Sequence, residues 1–94
     1  MGQTVEQYVE QIKKVMYDRC KSHEWEAVLT LEGNMVRASI ACNDDETAVA
    51  FHDYKAGYEI PCVCGENEID ALKGLLNLVK RVKKEKLAII HYNY

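Results

Sequence analysis

The residues best equipped for chemistry in this 94-residue chain are four cysteines, three histidines and a run of carboxylates. Cys62-x-Cys64 is the tightest thiol pair, and one intervening residue puts both on the same side of a strand. Structural zinc asks for two cysteines two to four residues apart and then a second such pair. Cys20, Cys42 and the dispersed His23, His52 and His91 do not supply it. The expectation is therefore no metal and no cofactor, with the cysteines reduced, buried and acting as small apolar residues. Asp44-Asp45-Glu46 lacks the spaced ligands and the glycine of a calcium loop, so it reads as a turn. No serine or cysteine sits in a recognisable nucleophile setting, and the glycines make no phosphate-cradling pattern. No catalytic residue is expected. His52 with Arg37 and Tyr54 is the one grouping from which a small ligand-binding or enzymatic site could be built.

These residues must be positioned by regular elements, and the pattern for those is clear. Thr4-x-x-Gln7 has the form of a capping box. Val5, Tyr8, Val9, Ile12, Val15, Met16 and Cys20 then recur at helical spacing, which predicts an amphipathic helix over 4–23. From Trp25 to Cys64 the period becomes two, predicting an antiparallel sheet over 25–64. Gly33-Asn34 separates two runs as a two-residue hairpin loop. Pairing Glu32 with Met35 sets Leu31, Leu29, Ala27 and Trp25 opposite Val36, Ala38, Ile40 and Cys42, all on one face. Continuing through the turn at Asn43–Glu46 pairs Ile40 with Val49 and Ala38 with Phe51. Tyr58, Ile60, Cys62 and Cys64 form a fourth short strand, which Pro61 makes an edge or irregular.

Asn67 is placed to cap a second helix over 67–86, whose apolar stripe is Ile69, Leu72, Leu75, Leu76, Val79 and Val82. Gly74 within it suits close approach to the other helix. Residues 87–94 are apolar and β-prone, an end that must pair with an edge, lie on the helices, or meet a second copy. Pro61 spoils the fourth strand as a partner, so own-chain pairing would use the edge of the first strand. The expected architecture is α-β-β-β-(β)-α, an α+β two-layer sandwich in one domain, with two helices on one face of an antiparallel sheet. Trp25, Leu29, Leu31, Ile40, Val49 and Phe51 should meet Val9, Ile12, Met16, Leu72, Leu76 and Val79 in the core.

Composition narrows the function classes. The apolar fraction is 48% and the charged fraction 29%, ordinary for a globular chain and unlike disorder. No apolar run reaches the length of a membrane span, and the N-terminus has no basic flank or apolar stretch, so a cytoplasmic location is expected. Charge is unevenly placed: +1 over residues 1–23, −9 over 24–70 and +5 over 71–94, summing to the net −3. An acidic sheet repels nucleic acid, whose affinity rests on cations meeting phosphates. It can instead present carboxylates where a nucleic-acid-binding protein expects phosphates.

Two resemblances follow. The element order is similar to a double-stranded-RNA-binding domain, which implies nucleic-acid binding through the basic end of the second helix, here Lys80, Arg81, Lys83, Lys84 and Lys86. Where such domains carry lysines at the start of that helix, this chain has Glu66-Asn67-Glu68-Ile69-Asp70. The short, acidic, motif-free make-up resembles small phage-borne inhibitors of nucleases, anti-CRISPR proteins among them. That resemblance implies a non-enzymatic protein-binding module acting in a host cytoplasm by occupying a partner's nucleic-acid-binding surface. The expected contact residues are Glu26, Thr30, Arg37, Asp44, Asp45, Glu46, His52 and Tyr54. The open sheet face and the apolar C-terminus also make a homodimer an expectation.

Overall fold

The computed structural model describes residues 3–19, 24–42, 47–53, 57–59, 61–82 and 87–91. For the strands at 47–53, 57–59 and 87–91 the description covers the backbone and its pairing. The order is α1 (Val5–Arg19), β1 (Trp25–Glu32), β2 (Met35–Cys42), β3 (Thr47–Asp53), β4 (Gly57–Glu59), β5 (Cys62–Gly65), α2 (Glu68–Arg81) and β6 (Leu87–His91). This is the expected α+β class, with both helices packed on an antiparallel three-stranded sheet.

Local chemistry sets the helix ends. Gln7 N–H donates to Thr4 Oγ1 at 3.2 Å while Thr4 N–H donates to Gln7 Oε1 at 2.8 Å, so two orphan donors are satisfied reciprocally. Asn67, in extended conformation, accepts at Oδ1 from Asp70 N–H at 2.9 Å. The far end of α2 is closed from α1. Arg19 donates through Nη2 to the Lys80 carbonyl at 3.0 Å and through Nη1 to that of Val82. A cation at carbonyls left over by the helix is favoured by both hydrogen bonding and the macrodipole.

The β1–β2 hairpin forms in the expected register, from Trp25↔Cys42 to Glu32↔Met35. Gly33 turns it with φ +61°, and no non-glycine residue described has positive φ. A single positive φ at the first loop position is the pattern of a II′ turn rather than I′.

Beyond the hairpin the pairing departs from expectation. Ile40 and Ala38 are not laddered to Val49 and Phe51: β5 takes the outer edge of β2 over Val36–Ser39, in the order β1-β2-β5. β3 belongs to a second sheet, β4-β3-β6, where Val49 pairs with Ile89 and Phe51 with both Leu87 and Glu59. The physical reason lies in α2. β5 runs into that helix within three residues, so a helix lying on the first sheet draws its feeding strand into that sheet. The expected fourth strand is thereby split at buried Pro61, with β4 in one sheet and β5 in the other. The C-terminal strand pairs within its own chain, with β3 rather than with the edge of β1.

The core joins Ile12 and Met16 of α1, Trp25, Ala38 and Ile40 of the sheet, and Ala71, Leu72, Leu75, Leu76 and Val79 of α2. Val9 and Leu29 pack against it partly buried. Leu31 does not: it is 79% exposed, because the hairpin tip runs past the helices that cover the rest of β1. The expected core positions Val49 and Phe51 have side chains outside the described residues. Gly74 serves a strand and not the other helix, since a Cβ there would lie 2.6 Å from Val63 Cγ1 of β5.

Candidate functional site

With the helices on one side, the alternation of the three strands assigns the other side. Burial along β1 runs buried Trp25, exposed Glu26, half-buried Ala27, exposed Val28, half-buried Leu29 and exposed Thr30. On β5, Val63 is the side chain turned to α2, which leaves Cys62 and Cys64 on the open face. The ladders then fix rows across this face: Val28 beside Ser39 beside Cys62, and Thr30 beside Arg37 beside Cys64. Glu26 with Ala41 and Glu32 with Met35 end the face at either side.

Arg37 is the centre of this surface. Its Nη1 lies 3.0 Å from Glu32 Oε1 and donates to it, a pair in which both side chains are about half exposed. Glu32 first and Cys62 second hold the Arg37 pKa above its ordinary value. As an exposed pair it contributes little to stability, and its effect is to fix where the cation sits. Val28 and Met35 add exposed apolar surface to the same face.

The burial expected of the cysteines is overturned at two positions. Cys62 and Cys64 are free and exposed, and Cys42 is half-buried on the helix side of β2. The cause is again β5: its helix-facing position goes to Val63, and period two sends both thiols outward. Cys20 lies outside the described residues. The spacing of Cys62-x-Cys64 contained the shared side; what it did not contain was which side.

Of the expected contact residues, the first sheet brings together Glu26, Thr30 and Arg37. His52 stands opposite Tyr58 in the second sheet, so it is not a strand neighbour of Arg37 as expected. Tyr54 and Asp44, Asp45 and Glu46 lie outside the described residues. Lys80 and Arg81 are exposed in the last turn of α2, while Lys83, Lys84 and Lys86 lie outside the description. Sequence reasoning missed Cys62 and Cys64 as members of the open face.

A concavity of about 530 Å³ lies where α1 meets the start of β1. Lys13, Lys14 and Tyr17 of the helix and Glu24 and Trp25 of the strand are among its walls. Among the described residues no group of three or more histidine, cysteine or carboxylate side chains is placed to hold a metal ion. No described helix is long and apolar enough to cross a membrane.

The fold and the open face define a small α+β domain with a one-sided sheet. No family model, curated protein or solved structure matches the chain.

Proposed function

We propose that the chain is a non-enzymatic protein-binding module whose contact surface is the open face of β1-β2-β5. The observation that carries this reading is the composition of that face. Exposed Val28 and Met35 lie among Glu26, Thr30, Glu32 and Arg37, with neither described helix over them. Apolar area supplies affinity, and a rim of carboxylates supplies orientation and selects against acidic partners. Exposed Glu24, Glu66, Glu68 and Asp70 extend the negative charge along the same part of the chain. The partner is then a protein with a basic surface, of the kind that ordinarily meets nucleic acid. The chain acts on it by occupation, in the manner of small phage-encoded inhibitors.

The test compares the native chain with a Glu26→Lys/Glu32→Lys variant of unchanged melting temperature. Each is immobilised and exposed to a host lysate at two salt concentrations. A basic protein held by the native chain and lost by the variant supports the reading. Equal retention by both refutes the open face as the contact. Direct titration with labelled duplex and single-stranded nucleic acid provides the control. Micromolar binding with a steep salt slope would overturn this reading and assign function to Lys80, Arg81 and the basic residues after them.

A further inference from the structure

We propose that Cys62 and Cys64 form a two-thiolate site for a soft monovalent metal ion, with Cu(I) as the fitting chemistry and Arg37 as its neighbouring counter-charge. The site does not depend on the protein-binding reading. Its frame is β5, with each cysteine paired to a fixed residue of β2: Cys62 to Ser39 and Cys64 to Arg37. Both thiols are free, exposed and on the face away from α2.

Strand geometry decides what such a pair can do. A rise of about 3.3 Å per residue puts the two Cα atoms about 6.6 Å apart. Their Cβ atoms project side by side at a similar separation. A disulfide needs Cβ atoms roughly 3.5–4.5 Å apart, so closing one would buckle a strand laddered to β2. A metal bridge asks for less. With metal–sulfur bonds near 2.3 Å, two sulfurs on opposite sides of one ion stand up to about 4.6 Å apart. Each side chain then leans inward by about 1 Å, within ordinary rotamer freedom.

Ligand number selects the ion. Zinc in a structural site takes four ligands, and the described residues offer no cluster of three. Soft thiolates favour Cu(I), which is satisfied by two sulfurs in line. Loading is balanced as two thiols and one Cu(I) giving a bis-thiolate complex of charge −1 and two released protons. Arg37, the ladder partner of Cys64 and tethered on its other side by Glu32, stands where that negative charge forms. Its fork has donors enough for both partners.

The experiment uses the full, reduced chain and Cu(I) supplied from a chromogenic chelator, with stoichiometry read from the chelator's absorbance and from native mass spectrometry. The expected result is one equivalent per monomer, with a mass gain of one copper less two hydrogens. A Cys20→Ser/Cys42→Ser variant should behave the same. Cys62→Ser and Cys64→Ser should each lose the ion; both positions are exposed, so serine leaves the core intact, and circular dichroism checks this. Arg37→Met should weaken binding by about tenfold, the lower end for a neighbour of the ligands, and Arg37→Lys should restore most of it. Full binding by a Cys62→Ser/Cys64→Ser chain would overturn the proposal. So would half an equivalent with a doubled mass, which would mean four thiolates shared between two copies.

Discussion

Replacing Gly74 by alanine tests the packing that puts β5, and with it the open face, in place. On an ordinary helix the change is favourable: alanine in an interior position is better than glycine by about 1 kcal/mol. Here the added Cβ would stand 2.6 Å from Val63 Cγ1, about 1 Å inside normal carbon–carbon contact. Relief is not simple. The Val63 Cβ and Cγ2 lie at 3.6 and 3.9 Å from the same point, so turning the β-branched side chain brings another atom into the gap. Moving the backbone would strain the Ala38↔Val63 ladder on one side or lift Leu72 and Leu75 from the core on the other. Overpacking of this kind costs about 1–3 kcal/mol. The net expectation is a loss of up to about 2 kcal/mol. At 4–8 °C per kcal/mol in a domain this size, the melting temperature should fall by several degrees and at most about 16 °C. The decisive measurement is the double-mutant cycle, by thermal and urea unfolding. On a Val63→Ala background the clash is gone, and Gly74→Ala should become stabilising by about 1 kcal/mol. A Gly74→Ala chain that melts higher than the native one would refute the close helix–strand contact.

Further outcomes follow from the same geometry. Gly65→Ala should be worse than Gly74→Ala in urea unfolding, because its Cβ would meet the Ala71 backbone nitrogen at 2.6 Å, and backbone has no rotamer to escape into. Gly33→Ala, at φ +61°, should cost about 1–2 kcal/mol in the same assay, with Gly33→Asn milder. Thr4→Ala and Asn67→Ala each remove a side-chain cap and should cost about 0.5–2 kcal/mol by thermal unfolding. Ending the chain at Lys86 removes β6 from five pairs with β3, so the melting temperature should fall. Light scattering on both chains then reads whether a second copy takes the vacated edge.

How much of this was legible in the residues depends on how local the deciding physics is. The capping box at Thr4–Gln7, the cap at Asn67 and the hairpin register are set within a few residues, and each could be read directly. A one-residue slip in the hairpin would have sent Trp25 and Ile40 to opposite faces, so the apolar pattern had only one consistent solution there. The partner of β2 had two. β3 follows it four residues later in the sequence and alternates correctly, yet β5 wins the edge. That choice rests on a contact between Val63 and Gly74, eleven residues apart and in different kinds of element. Sequence period names the face of each and not their meeting. The absent side chain at Gly74 is what lets α2 settle on the strand that feeds it.

The same contact decides the candidate site. Once Val63 is drawn under Gly74, period two leaves Cys62 and Cys64 no direction but outward, and the ladder sets Arg37 between them and Glu32. A cysteine pair expected in the core therefore stands on the exposed face beside a cation, with no change in the strand pattern that predicted its spacing. A glycine on the buried side thus governs which chemistry the open side can present. The prediction that joins them is direct. Gly74→Leu, too large for Val63 to remain beneath it, should loosen β5 from α2 and raise hydrogen exchange at those β5 amides that the native chain protects. It should also weaken Cu(I) capture by the otherwise unaltered Cys62 and Cys64. If exchange rises while capture stays at the native level, the two thiols hold the ion without the strand, and the preorganised site is refuted.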